Sequence, residues 1–386
     1  MENTDKLRLT VWMNMPSPYQ ADFFRALARR EEVELEVVFG RSLDPMRTDL
    51  GWTISNAGFV SQSLSPRWRT WQAIRWAWRR RDRVQVVNGV WALPEFTVAA
   101  MVLMLMGAPV FFHAEVPDPR VERSGVRQTV RNLLGKLLLR RSRGVFAISG
   151  LAERFYARLL GENGRVFPFG YFKHHEFATD QAEKISPREV LFVGQLIERK
   201  AVELLVEAFA GVAAEFPQVR LALIGAGPQE ESLRAQINRL KLEGRVFLEG
   251  TVNSAVIDAR IRQADVLVLP SHFDGWGLVI NEALAGGVPV IVSEACGAAD
   301  LVRGSSEGIV VPAGDQAALQ SALRQMLRAP EKFRVDAKVW AGRIGLGPVA
   351  DYFLGCLRYG LGLSAVKPRP CWRKDDLNAE VTKIAE

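Results

Sequence analysis

Short apolar runs recur along the chain, and helical patterns fill the gaps between them. In the first half the runs are LTVWMN (9–14), LEVVFG (35–40), VQVVNG (84–89), PVFFHAE (109–115) and GVFAIS (144–149). In the second half they are VLFVGQ (190–195), RLALIG (220–225), RVFLEG (245–250), DVLVLP (265–270) and PVIVS (289–293). Helical spacing appears in AVELLVEAFAGVAAEF (201–216), QEESLRAQINRLKLEG (229–244) and VADYFLGCLRYGLGL (349–363). Apolar strands that run continuously rather than alternating, with helices between them, predict parallel sheets covered on both faces. The polar stretch KHHEFATDQAEKISPRE (173–189) reads as the boundary between two doubly wound domains. The expected division is 1–183, 184–345, and a terminal helix and tail over 346–386 that packs back toward the first domain. The fold expected is thus α/β, with two Rossmann-like domains facing each other across a cleft.

Three strand ends in the second half carry candidate chemistry. VGQLIERKA (193–201) turns on Gly194 and Gln195 and brings Arg199 and Lys200 to a helix start, where an ammonium can neutralise phosphate oxygens. IGAGP (224–228) ends a strand with Gly225 and Gly227, read as glycines that let a ligand approach the backbone. SHFDGWGLVINEALAGGVPVIVS (271–293) places Asp274 before a glycine turn and Glu282 eight positions later. The backbone N–H groups of Gly275, Trp276, Gly277, Leu278 and Val279, at a helix N-terminus, could bind a diphosphate. Glu282 could take both hydroxyls of a ribose. Taken singly these features are weak, because a lone glycine pair is often a turn and a lone lysine is often a solvated charge. Their common position at the carboxyl ends of parallel strands is what favours a ligand site.

Composition narrows the class without naming the chemistry. With 48% apolar and 24% charged residues in 386, the chain is a globular protein long enough for two domains. The net charge of +7 is uneven: residues 1–180 hold 26 Lys/Arg against 18 Asp/Glu, and the remainder 24 against 25. The first half is therefore expected to meet something anionic. Three cysteines without CxxC spacing argue against a disulfide framework or structural zinc. The opening MENTDKLRLT lacks the apolar core of a signal peptide, and the run Phe96–Phe112 contains Gly107 and Pro109, so it reads as a buried helix leading into a strand. A cytoplasmic protein is expected, peripheral at the inner face of the cell membrane.

That last expectation rests on SPRWRTWQAIRWAWRRRDR (65–83), with seven arginines and four tryptophans. Trp71, Ile74 and Trp78 share a helix face by 3/4 spacing, and Arg67, Trp68, Arg79, Arg80 and Arg81 flank it. Indoles suit headgroup depth and guanidiniums suit anionic lipid, so this helix is assigned to membrane or acceptor contact. A second basic helix, VRQTVRNLLGKLLLRRSR (126–143), has Val130, Leu133, Leu134 and Leu137 on one side and reads as an ordinary outer helix. The competing reading packs the tryptophans of the first helix inward. No nucleic-acid partner is expected, since no recognised binding motif accompanies the arginines.

In combination these motifs resemble the GT-B retaining glycosyltransferases of family 4 (glycosyl transferases group 1). PSHFDGWGLVINEALAGGVPV (270–290) follows the family's PSxxEGFGxxxxEAxAxGxPV, GQLIERKA (194–201) its GRLxxxKG, and GAGP (225–228) its GxGP; GAADLV (297–302) stands at its Gly-rich segment. The resemblance covers about residues 188–312 well. In the first half it rests on layout and on FFHAE, AIS and PFGYF at strand ends. It implies transfer of a sugar from a nucleotide diphosphate sugar to an acceptor, sugar or lipid-linked, with retention and without a metal or other cofactor. By the same pattern Glu282 binds the ribose, Lys200 the diphosphate and Asp274 the donor sugar, while His113 is the active-site histidine near that sugar. Two departures stand out: Asp274 replaces the first glutamate of the family's pair, and Gln195 replaces a phosphate-binding arginine, for which Arg199 offers a charge at another spacing. No Asp-x-Asp occurs anywhere, so helix dipole and lysine are expected to do the electrostatic work of a metal. A sugar-nucleotide epimerase of the same shape and a catalytically inactive scaffold are the rival readings.

Overall fold

Two parallel sheets organise the chain, each with strands in the Rossmann order. The computed structural model describes residues 6–43, 58–90, 92–117, 126–161, 164–175, 189–333 and 335–373. The chain divides into two units, Met1–His174 with Gly345–Glu386, and His175–Ile344. The boundary expected at 183/184 lies outside the described residues.

The first unit contains β1 (Leu7–Met13), α1 (Pro18–Ala28), β2 (Val33–Phe39), β3 (Val60–Ser63), α2 (Arg69–Arg79), β4 (Val84–Asn88), α3 (Pro94–Leu105), β5 (Val110–Glu115), α4 (Val126–Arg141), β6 (Gly144–Ile148), α5 (Gly150–Leu160) and β7 (Val166–Phe169). Its sheet runs β3-β2-β1-β4-β5-β6-β7, all parallel. The order reverses between β1 and β4, the switch point where such sheets take ligands. One core cluster joins α2, α3, α4 and α5 to a single face of the sheet through Trp12, Val87, Phe112, Ala77, Ala99, Leu138 and Ala152. On α13 (Leu346–Gly360), Phe353 stacks on Phe146 at 4.5 Å between ring centroids and meets Phe23 of α1 edge-on at 5.4 Å. Tyr352 donates to the Pro168 carbonyl at 2.9 Å, so this helix is tied to β7 as well.

The second unit contains β8 (Glu189–Val193), α6 (Val202–Ala213), β9 (Arg220–Ile224), α7 (Glu230–Arg239), β10 (Val246–Gly250), α8 (Ser254–Gln263), β11 (Val266–Leu269), α9 (Val279–Ala285), β12 (Val290–Ser293), α10 (Ala299–Val302), β13 (Gly308–Val311), α11 (Gln316–Arg328) and α12 (Ala337–Ile344). Its strand order is β10-β9-β8-β11-β12-β13, again parallel, with the reversal between β8 and β11. Leu191, Phe192, Leu223, Leu267, Val268 and Ile291 have no exposed surface, which is why these strands read as unbroken apolar runs. Among the described residues no helix is long and apolar enough to cross a membrane.

Candidate functional site

In the second unit the loops after β8, β9 and β11 meet at the switch point. The loop 194–201 is laid onto the loop after β9 by backbone bonds: Gly194 N–H donates to the Ile224 carbonyl at 2.9 Å and Leu196 N–H to Ala226 at 3.0 Å. Gln229 N–H returns a bond to Leu196 O at 3.1 Å. A Cβ on Gly225, at φ 139°, would lie 1.8 Å from the Gly194 carbonyl oxygen, and one on Gly227 would lie 2.2 Å from Leu196 O. The space a side chain would need at either glycine is filled by the neighbouring loop, so the packing that positions Lys200 requires glycine at both. Ala201, where the resemblance puts a glycine, takes the left-handed conformation (φ 52°, ψ 43°) and is fully buried.

That packing delivers Lys200 to Asp274 across 74 positions of sequence. The Lys200 ammonium donates to Oδ2 of Asp274, and Arg199 Nη1 stands 3.7 Å from Oδ1. Both Lys200 and Asp274 side chains are only 13% exposed. Arg199 also bridges the two loops: its Nη1 donates to Phe273 O at 2.9 Å, and its carbonyl accepts from His272 N–H at 2.9 Å. Asp274 is fixed in turn by its N–H to Ala295 O at 3.1 Å and its carbonyl from Gly297 N–H at 3.0 Å. The cations expected at a diphosphate and the acid expected at a sugar are thus in direct contact.

The glycine turn that follows has a division of labour that its sequence conceals. Trp276 is buried, with Nε1 donating to Asn281 Oδ1 at 2.9 Å, so its indole is a strut beneath α9. Gly277 sits at φ 89°, where a Cβ would lie 2.6 Å from Cys296 Sγ. Helical hydrogen bonding begins with Ile280 N–H to Gly277 O at 3.0 Å and Glu282 N–H to Leu278 O at 3.2 Å. Glu282 is half-buried in the first turn of α9. Gln195 is exposed on the 194–201 loop. Among the described residues no group of three or more His, Cys, Asp or Glu is arranged to hold a metal ion.

The first unit holds an open cavity of about 700 Å³ at the ends of β1, β4 and β5, flanked by α4 and α5. Its lining mixes polar groups (Asn14, Asn88, Glu115, Lys136) with apolar ones (Leu139, Phe155). Tyr171 donates its hydroxyl to Glu115 Oε1, and Tyr156 donates to the Glu115 backbone carbonyl at 3.1 Å. Burial, with the Glu115 carboxylate beside it, keeps the Tyr171 phenol protonated well above its ordinary range. This Glu115–Tyr171 pair joins HAE to GYF, two segments whose pattern assigns a role to the histidine alone. Two phenols meeting one residue, Tyr171 at its carboxylate and Tyr156 at its backbone carbonyl, cannot be read from spacing.

His113, at the end of β5, is buried against Phe169 and Tyr171, with ring centroids at 5.8 and 5.9 Å, and lines a separate small apolar cavity of about 30 Å³. Burial pushes its pKa down from 6.5 to about 4, so the ring is neutral at pH 7. A proton then binds the unfolded chain first as pH falls. Stability is unaffected above the unfolded pKa and declines as pH drops from 6.5 toward 4, by about 1.4 kcal/mol per unit. Between pH 7 and 5 the wild type should lose roughly 2 kcal/mol that His113→Gln does not lose. Urea unfolding of both proteins at the two pH values measures this, and parallel losses would refute it.

Three of the four tryptophans at α2 face outward, Trp68 being 65% exposed, Trp71 57% and Trp78 58%, while Trp76 is half-buried against the core. The inward-packed reading is thereby excluded for these three, the buried positions being Ala73 and Ala77. Arg67, Arg79 and Arg81 are exposed as expected, and Arg75 and Arg81 lie over the Trp71 and Trp78 rings at 5.3 Å. Arg80 is a correction. It caps the helix, is buried, and makes a two-pronged ion pair with Glu36 of β2, so its guanidinium is withdrawn from any surface partner. In α4 the inward residues are Leu138 and Leu139 with Leu134 half-buried, while Leu133 and Leu137 are exposed; the side chain of Val130 lies outside the described residues. The run LLGKLLL presents leucine on most sides, so periodicity alone could not choose the buried face.

Two doubly wound sheets of this order, with charged groups gathered at the switch point of the second, define the GT-B class of fold. Residues 175–338 match the family model of the glycosyl transferases group 1. Among curated relatives, the phosphatidyl-myo-inositol mannosyltransferase of Mycobacterium leprae is 37% identical over 190 residues, 48% of this chain and 50% of that one. The D-inositol 3-phosphate glycosyltransferase of Segniliparus rotundus is 30% identical over 52% of this chain and 46% of its own length. The chain thus spans about half the length of these relatives. Of solved structures, Anabaena HepE in complex with UDP superposes with TM-score 0.71 at 17% identity, over 91% of this chain and 100% of that one. The lipopolysaccharide outer core galactosyltransferase WaaB gives 0.69 at 14%, over 91% and 99%; both likenesses are of fold.

Proposed function

We propose that the protein transfers a sugar from a nucleotide diphosphate sugar to an acceptor hydroxyl, with retention of anomeric configuration and without a metal. The observation that carries this reading is the Lys200–Asp274–Arg199 cluster at the β8/β11 switch point, with Glu282 one helical turn into α9. A diphosphate sugar presents, in order, a ribose diol, two phosphates and a sugar. Glu282, the two cations and Asp274 offer an acceptor for the diol, charge for the phosphates and an acid for the sugar hydroxyls. HepE, similar in fold, was solved with UDP and with UDP-glucose, which supports a nucleotide sugar as the ligand class. The acceptor is assigned to the 700 Å³ cavity of the first unit, where Glu115 is the carboxylate available to an acceptor hydroxyl. In the retaining reaction the departing diphosphate takes the proton of the incoming hydroxyl, so no carboxylate pair need flank the scissile bond as in glycosidases.

The test is Glu282→Ala, with a panel of nucleotide sugars measured by calorimetry. Losing two charge-assisted hydrogen bonds to a diol should weaken the donor that binds wild type by about 100-fold, with the melting temperature unchanged. Equal affinity would remove Glu282 from the site. Donor binding without transfer or hydrolysis would support the inactive scaffold instead, and isomerisation of the sugar the epimerase.

A further inference from the structure

We propose that the helical layer α2–α5 of the first unit is a docking surface for an anionic lipid bilayer. These four helices share one core on one face of the sheet, and their outward side combines exposed apolar side chains with exposed arginines. Among the described residues, eight of the fourteen exposed large apolar side chains lie on it or at its helix caps, including Trp71, Trp78, Leu133, Leu137 and Phe155. Leu133, 70% exposed, is as open to solvent as any tryptophan. The same layer has no exposed carboxylate: α2 and α4 contain no acidic residue, and Glu95 of α3 and Glu153 of α5 are buried, Glu153 pairing with Arg373. Asp82, just beyond α2, is an exposed carboxylate whose charge is paired with Arg8. Exposed cations are plentiful, among them Arg75, Arg79 and Arg81 at α2 and Arg140 and Arg141 at the end of α4.

Three occupants could cover such a face, and its chemistry separates them. A second copy of the chain would bring one cationic layer against another, which like-charge repulsion opposes. Single-stranded nucleic acid would suit Trp and Arg, but Leu133 and Leu137 offer no ring on which a base can stack. An anionic bilayer accepts all of it: indoles at headgroup depth, leucines among the upper acyl carbons, and guanidiniums on lipid phosphates. The 700 Å³ cavity takes part of its lining from α4 and α5, so docking this layer sets that cavity beside the membrane. That consequence bears on a lipid-borne acceptor and rests on the transfer reading; the docking itself does not.

Co-sedimentation with vesicles of phosphatidylcholine alone, or with one-third phosphatidylglycerol, tests the proposal. Wild type should pellet with the anionic vesicles at low salt and be released at high salt. The double variant Arg79→Gln/Arg81→Gln should bind roughly 30-fold more weakly, from the usual contribution of a basic residue near an anionic surface. Leu133→Ser/Leu137→Ser and Trp71→Ala/Trp78→Ala should each weaken binding with little salt dependence and an unchanged melting temperature. Wild type remaining in the supernatant, equal binding to both vesicles, or stronger binding to a single-stranded RNA oligonucleotide would overturn the proposal. Leucine variants that bind as wild type would overturn the layer, since α2 alone would then suffice. Glu282→Ala should pellet as wild type does, which separates a failure of docking from a failure of the donor site.

Discussion

Replacing Lys200 by alanine is expected to lower kcat by about 10²–10³-fold, near 3–4 kcal/mol of transition-state stabilisation. On the proposed reading, negative charge grows on the departing diphosphate, and Lys200 is the cation held deepest at the strand ends. It is only 13% exposed, so its field is poorly screened. KM should rise less than kcat falls, because the interaction strengthens as the bond breaks. Asp274 keeps Arg199 at 3.7 Å in the variant, so the carboxylate is not stranded and the fold should survive; a thermal melt checks this. Lys200→Arg restores the charge with a different reach and should recover part of kcat. Wild-type activity should persist in excess EDTA. An unchanged kcat in Lys200→Ala would remove the lysine from the reaction, and activity lost to EDTA and restored by magnesium would replace it with a metal.

What sequence reading found and missed in the fold follows one physical line. The ten strands legible as apolar runs are present within a few residues; β3 and β13, which were not read, and β7, marked only by the resemblance of PFGYF, are all edge strands. An edge strand has one neighbour and need not be buried on every side, so its sequence loses the signal. VSQS of β3 is largely exposed, and VFPF of β7 carries Pro168, a residue tolerated where a ladder bond is dispensable. The candidate site was legible as a list of residues at strand ends, but not as contacts. Nothing in the spacing says that Lys200 meets Asp274, or which of Arg79, Arg80 and Arg81 turns inward to Glu36. Those choices are made by tertiary packing, and Arg80 is taken because it sits at the cap where α2 turns down toward β2.

The largest stability effect belongs to Gly225→Ala, for which a loss of about 4 kcal/mol is expected in the second unit. Two costs add. At φ 139° any L side chain is strained, and the new Cβ would stand 1.8 Å from the Gly194 carbonyl oxygen, inside any tolerable contact. Backbone strain of this kind costs about 1–3 kcal/mol and overpacking another 1–3. The clash is with main chain, which cannot swing aside like the end of a flexible side chain. Gly194 must therefore move, and it carries the loop that holds Arg199 and Lys200 against Asp274. Gly244→Ala provides the control, since Gly244 also has a positive φ, 77°, but nothing within 4 Å of a built Cβ. It should cost only about 1 kcal/mol. Thermal melts of the two variants beside wild type separate strain from clash, with Gly225→Ala expected to fall by roughly 10 °C and Gly244→Ala by a few degrees. Nucleotide-sugar affinity should drop in Gly225→Ala even at temperatures where it remains folded, and stay unchanged in Gly244→Ala. Equal melting temperatures for the two variants would show that the Gly194–Gly225 approach is not what fixes the loop.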